Sequence, residues 1–384
     1  MNEHRGKRFT LSMREISGAA GDLGTLLPLM LGSIALAGLS PTAVLLGFSA
    51  SYIATALYYR LPVPVQPMKA VAAVLLTAGI APIGLAASGF MIGLILLVLG
   101  LTGWITKFAR IVPRSVLAGL QLGLGIVLAL VSFKLLDTAP VVGLVTLGLL
   151  LLLMILPRCP SALIALAAAF LLSAAFDAPG IAYDAGAGGA IQLVALPSLA
   201  EIENAFSLVV LPQLSITLTN AILLTALVAS DYFGERAAHV TPARLSVGTG
   251  LANMLLTPLG ALPMCHGAGG LAAHHRFGAR TGTAPLLLGL VLLGVALFPG
   301  GHGLALLTAI PAAGLGALLL VAAGELALTR RLFGSRPSCW PVIAVTAGVT
   351  VWIDPFWGLL AGSVSEMLRF AALRLHRASS KTPQ

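Results

Sequence analysis

The sequence predicts an all-α polytopic membrane protein arranged as an inverted repeat of about seven plus seven transmembrane segments, and three observations carry that expectation. Hydrophobic residues fill 58% of the 384 positions and charged residues only 9%, against roughly 25% charged in a soluble domain. Uncharged stretches long enough to cross a bilayer recur, as at 85–106, 115–133 and 207–230. Unusual segments of the first half also reappear about 198 residues later.

The N-terminus imitates a signal peptide, with Arg5, Lys7 and Arg8 ahead of an apolar run and Ala35-Leu36-Ala37 as a mock cleavage site. Asp22 sits early in that run, which continues past a normal signal length, so it reads as a retained first span. The next irregular stretch is Leu61-Pro62-Val63-Pro64-Val65-Gln66-Pro67-Met68-Lys69. Alternating prolines remove backbone donors and force extended geometry, and a helix can begin only near Pro67. The adjoining apolar run 70–79 is too short to span alone, so the stretch reads as an extended strand leading into a half-helix.

The longest polar interruption, near 177–204, is the joint between halves. The expected organisation is a first repeat at 1–177, an extracytoplasmic connector at 178–206, a second repeat at 207–377 and a cytoplasmic tail at 378–384. Ile191 to Phe206 mixes apolar and acidic residues, as a segment lying along the outer interface would. In the second half Leu262-Pro263-Met264-Cys265-His266-Gly267 faces Leu61-Pro62 and its followers. Ile310-Pro311-Ala312 likewise faces Val112-Pro113-Arg114, and Asn220 faces Asp22. An odd number of spans per half requires the second to enter the membrane upside down, and such folds bind their ligand near the midplane between repeats.

Charge supports this topology. The net charge is +9, and when helices are drawn through the apolar runs, all but Lys69 and Lys134 of the 22 Lys and Arg residues fall on one side. By the positive-inside rule that side is cytoplasmic. Asp177, Asp184, Glu201, Glu203 and Asp354 collect on the other. Both termini are therefore expected in the cytoplasm of a cell whose inner membrane holds the chain. The basic excess is a topology signal and not a nucleic-acid footprint.

Extended backbone at membrane depth is tolerable only when buried or lining a cavity. Two half-helices starting at Pro67 and Gly267 would aim their N-termini at one another, offering amide donors and a partial positive charge to an anion. Gly267, Gly269 and Gly270 let a ligand approach the backbone closely. Pro67, Met68, Gln66, Cys265 and His266 share that segment. Lys69 adds a full charge whose burial costs at least about 2.5–3.5 kcal/mol. It either faces the anion or pairs with Asp22 or Glu325.

Asp22 is a structural partner for backbone amides or a coupling carboxylate that takes up a proton before a dianion settles nearby. Gln213, Thr217 and Asn220, spaced four and three apart, share one face of the eighth span, either as packing contacts or as ligand donors. Glu325 and Glu366 read as structural or gating acids at cytoplasmic helix ends. Cys265, His266, His274 and His275 lack HExxH or paired CxxC spacing, and His274-His275-Arg276 falls at the cytoplasmic end, so no metal or other cofactor is implied. Cys159, Cys265 and Cys339 form no disulfide pattern.

Taken together, Gly21-Asp-Leu-Gly-Thr-Leu-Leu-Pro28, Pro62-Val-Pro-Val-Gln-Pro-Met-Lys69, Leu211-Pro-Gln213, Ser230-Asp-Tyr-Phe233, Cys265-His-Gly-Ala-Gly-Gly-Leu271 and Arg276-Phe-Gly-Ala-Arg280 resemble the molybdate transporter family of plants and bacteria, a relative of the SulP sulfate permeases. The resemblance implies molybdate uptake by a fold shared with SulP proteins and uracil permease, whose core and gate domains move as an elevator. It implies an anion site at Gln66, Lys69, Cys265 and His266 with Asp22 close by, and dimers as the usual assembly. The chain ends soon after its last span, leaving no room for the regulatory domain of sulfate permeases, which favours the molybdate branch. Sulfate and tungstate are tetrahedral dianions too, and amide donors would separate them mainly by size and basicity. A nucleobase or carboxylate permease of the same fold is the alternative reading, against which Lys69 speaks. An enzyme would need a triad or metal that the sequence does not offer. With no GxxxxGK[ST] motif, energy must come from a proton or other ion gradient, or from the solute's own gradient.

Overall fold

The computed structural model describes residues 9–37, 39–69, 71, 80–156, 159–176, 196–298, 308–353 and 355–379. Ser12 caps α1 (Met13–Gly21), which breaks at Asp22 before α2 (Leu23–Ala37). The stretch that reads as one span is thus two helices meeting at a buried carboxylate. Helix α3 (Pro41–Tyr59) starts on Ser40 with Pro41 in its first turn and ends on Arg60, whose φ of 53° turns the chain out of the helix. Pro62 and Pro64 then hold it extended.

Next come β1 (Gln66–Pro67), α4 (Pro82–Leu101), α5 (Trp104–Ile111), α6 (Arg114–Leu136), α7 (Pro140–Leu153) and α8 (Ser161–Ala175). The second half holds α9 (Leu199–Ala205), α10 (Leu211–Ile216), α11 (Thr225–Phe233), α12 (Pro242–Leu256), β2 (Met264–Cys265), α13 (Ala268–Arg276) and α14 (Thr283–Leu297). It closes with α15 (Ala312–Ala327), α16 (Arg330–Phe333), α17 (Trp340–Trp352) and α18 (Pro355–Ser379).

The helical membrane architecture is as the sequence predicts. Large side chains such as Leu144, Leu171 and Leu368 are more than 60% exposed, a surface suited to lipid and not to water. Among the described residues, α3, α4, α6 and the stretch Ala312–Phe333 are long and apolar enough to cross a membrane. Pro140–Leu153, Ser161–Ala175, Thr283–Leu297 and Pro337–Trp352 are apolar but shorter.

The repeat is visible in the packing. Helix α3 packs on α14, and their counterparts about 200 residues away, α12 and α4, pack on each other. The same exchange relates α6 with α17 to α15 with α7, while α6 and α15, themselves counterparts, share the most extensive contact. Small residues permit these approaches. A Cβ on Gly93 of α4 would press on the carbonyl of Gly250 of α12, and one on Gly250 on that of Gly93, each at 2.8 Å. Ser49 of α3 donates to Gly289 O of α14 (2.8 Å), and Ser246 of α12 donates to Leu96 O of α4 (2.7 Å). The strand-bearing group is taken as α1 to α4 with α11 to α14 and the other as α6 to α8 with α15 to α18, and α2 and α13 line the seam, each packing chiefly on α15.

One expectation about an element is corrected. The eighth span is not a regular α-helix, since 206–210 and 217–224 are π-helical, and the extra residue per turn rotates the later residues off the expected face. Within the segment expected along the outer interface, α9 carries a complete Ser198/Glu201 capping box and runs directly into the next span. The half-helix expected at 70–79 is described only at Val71, with Lys69 and Val71 both helical. The expectations for Asp177, Asp184 and Asp354 lie outside the described residues.

Candidate functional site

The strands β1 and β2 pair antiparallel, Gln66 opposite Cys265 and Pro67 opposite Met264. The N–H of Met68 donates to Pro263 O at 3.0 Å and lengthens the pairing. Each strand runs into the start of a helix, so the pairing brings the two starts side by side in the interior, as the alternating prolines require. Asn253 of α12 clamps β2, its Oδ1 accepting from Met264 N (2.9 Å) and its Nδ2 donating to Met264 O (2.6 Å).

Gly267 caps α13 with extended backbone (φ −140°, ψ 126°) and no side chain covers the cap. The first intrahelical bond is Leu271 N to Gly267 O, so the amides of Ala268, Gly269 and Gly270 stay outside the helix's own ladder. Gly269 faces Leu128 of α6, and a Cβ there would come within 2.6 Å of its Cδ1. The tip of the half-helix therefore meets the second group of helices.

The Gln66 amide lies beside this tip. A Cβ on Gly267 would collide with its Oε1, and one on Gly270 with its Nε2. Its Nε2 donates to Asp22 Oδ1 at 2.6 Å, while Tyr52 of α3 donates its hydroxyl to Asp22 Oδ2 at 2.7 Å. His274 stands against the same Oδ2 at 3.6 Å. His274 lies in the last turn of α13, as its place in the sequence suggests, and is fully buried there. Lys69, half-buried, interacts electrostatically with both Asp22 and Cys265. Glu325 is engaged elsewhere, by His275 and Arg276 at 3.7 Å each, so the Lys69–Glu325 pairing is not formed.

Cys265 is buried and His266 is 4% exposed. His266 meets Pro64 O through Nδ1 at 2.8 Å, which ties the two extended segments together. Both residues also border a cavity of about 720 Å³ between α3, α4 and α12, lined largely by alanine, leucine and valine. Asp22, Gln66 and the first turn of α13 do not line it, so this apolar crevice is not where amide donors meet an anion. Pro67 and Met68 serve the strand pairing.

Gln213 donates to Thr217 Oγ1 at 2.8 Å, a packing contact. The Oδ1 of Asn220, buried in a segment that packs on α13, finds no partner among the described residues. The structure thus gathers Asp22, Gln66, Lys69, Cys265, Gly267 and Gly269 around the two tips. It adds Tyr52, Asn253 and His274, which sequence reasoning had not placed there. A polar residue isolated in an apolar helix was the available signal for Asn253.

Known proteins resemble the chain in both sequence and fold. The family model described as molybdate transporter of MFS superfamily matches residues 14–128 and 205–326. Molybdate transporter 1 of Arabidopsis thaliana is 30% identical over 93% of this chain and 88% of its own length, and molybdate transporter 2 of the same plant is 30% identical over 88% and 82%. In fold, the chain is similar to the transmembrane domain of a cyanobacterium bicarbonate transporter, BicA (TM-score 0.61, 18% identity, 91% of this chain and 96% of that one). It is also similar to murine Slc26a9 in the inward-facing state (TM-score 0.57, 14% identity, 95% and 70%). Matched in both halves by that family model and along most of its length by plant members, the chain belongs to the molybdate transporter family.

Proposed function

We propose that this membrane transporter imports a tetrahedral oxyanion, with molybdate as the first substrate, by secondary transport across the cell's inner membrane. The observation that carries the reading is the pairing of β1 with β2, which delivers two helix starts, the amides of Ala268, Gly269 and Gly270, and the Lys69 charge to one interior place. Amide donors and one cation suit an anion stripped of water. The molybdate relatives favour that oxyanion over the other anions such a site could hold. Contact between the α13 tip and α6 supports an elevator, in which the strand-bearing group slides along the other with the anion between them. Cytoplasmic termini follow from the charge bias and a homodimer from the architecture, and the buried Asp22 carboxylate beside the tips favours protons as the coupling ion.

The test is uptake of labelled molybdate into proteoliposomes, with sulfate, tungstate and uracil as competitors. Molybdate should be transported and competed by tungstate but not by uracil. Lys69→Gln should lower uptake about 10- to 100-fold, the loss expected for a contact to charge worth about 1.5–3 kcal/mol. Uracil transport, or full uptake by the Lys69 variant, would remove the reading.

A further inference from the structure

His274 and Asp22 meet where both side chains are 0% exposed, with Nε2 of His274 3.6 Å from Oδ2 of Asp22. The other ring nitrogen, Nδ1, lies 2.8 Å from the carbonyl oxygen of Gly18. A carbonyl only accepts, so Nδ1 carries a hydrogen. That leaves Nε2 two states: a lone pair aimed at a carboxylate, or an N–H donated to it. Asp22 accepts from Gln66 on one oxygen and from Tyr52 on the other, so the oxygen that faces Nε2 is itself an acceptor. A lone pair against that carboxylate is repulsive, and Nε2 finds no hydrogen-bond partner among the described residues. A proton on Nε2 removes the repulsion and compensates a buried charge that is otherwise costly.

We infer that Asp22 and His274 form a single proton site, with the proton on Nε2 of His274, which fills as the oxyanion binds and empties as it leaves. The inference rests on the oxyanion reading and adds what travels with the anion. Coupling runs through Gln66, whose Nε2 holds Asp22 while its Oε1 lies at Gly267, the cap of the half-helix. An anion at that tip raises the affinity of the pair for a proton, and the proton raises the affinity for the anion by the same factor.

The surrounding charges leave this site to the pair. Tyr52 of α3 is already bonded to Asp22, and Lys69 lies within electrostatic range of Asp22. On α1, Glu15 accepts from Arg280 N at 2.9 Å. His275 and Arg276, beside His274 on α13, turn to Glu325 of α15. Tyr232 of α11 stacks on His275 with centroids 4.0 Å apart.

The experiment uses the full chain in weakly buffered nanodiscs, with molybdate binding and the accompanying pH change read together. Wild type should take up a proton from the medium as molybdate binds. His274→Gln, which can still donate to Gly18 O but cannot titrate, should bind more weakly and without proton uptake, and should lose acceleration by an inward proton gradient. Tyr52→Phe, which strips one donor from the carboxylate, should keep proton uptake with its pH midpoint moved upward. Proton uptake by His274→Gln equal to wild type, or an unmoved midpoint in Tyr52→Phe, overturns the inference. Wild type that binds molybdate without taking up a proton overturns the proton site alone, whereas wild type that binds no molybdate overturns the substrate reading and the proton site with it.

Discussion

Asn253 shows how one side chain can hold a membrane-buried strand in place. Its amide satisfies both the N–H and the C=O of Met264, groups that have no water to turn to at that depth. Asn253→Ala leaves both unpaired, at about 1–3 kcal/mol each, so thermal unfolding in detergent should show a loss of roughly 2–6 kcal/mol. Gly270→Ala tests the neighbouring tip, since its Cβ would strike the Gln66 amide, Asp22 Oδ1 and Pro64 at once. Uptake should fall to background, while Gly324→Ala, whose Cβ meets nothing within 4 Å, should transport normally and gain about 0.5–1 kcal/mol of stability from its helical setting. At this scale the sequence was partly legible. Gln66, Lys69 and Cys265 stood out because prolines and glycines at membrane depth need a special reason. Tyr52 and His274 did not, because a lone polar residue in an apolar stretch does not reveal which buried group it meets, and His274 sits two residues from an arginine that signals a helix end.

Among the elements, the extended segments were legible and the π-helical turns were not. Proline alternation dictates strand-like backbone whatever lies around it, whereas a π turn is set by tertiary contacts and leaves the apolar pattern unchanged. The capping box of α9 is a local device with a pH signature. Hydrogen bonds from the backbone N–H and hydroxyl of Ser198 hold the Glu201 carboxyl below the usual carboxylate range. A carboxyl depressed in the folded state contributes its stability above the unfolded value and loses it as pH falls through the folded one. Amide-exchange protection across 199–205 should therefore stay level above about pH 5 and decline below it. Glu201→Gln should abolish that decline, and an unchanged profile in the variant would show that the carboxylate is not the cap's source of order.

At the scale of the whole molecule, the mirrored packing of α3 with α14 and α12 with α4 was foreshadowed by the repeated sequence segments and a division into two domains by the family resemblance, but which helices join each group was not. It depends on which small-residue faces meet, and glycines recur on many helices. The ion pairs that cross the division give the motion a handle. Arg331 meets Asp231 at 2.6 Å, and Arg276 meets Glu325 at 3.7 Å, each joining a helix of the strand-bearing group to α15 or α16. Partly exposed pairs of this kind are worth about 0–1 kcal/mol, so Asp231→Asn should scarcely move the melting temperature. If the groups slide past one another during transport, these contacts must break on every cycle. Cysteines placed at 231 and 331, with Cys159 and Cys339 replaced by serine, and joined by a short bifunctional thiol reagent, should stop molybdate uptake while leaving binding intact. Either cysteine alone, treated with the same reagent, should transport as before. Full transport by the bridged protein would mean that the anion crosses without relative movement of the two groups, and the elevator would have to be given up in favour of a smaller gate at the helix tips.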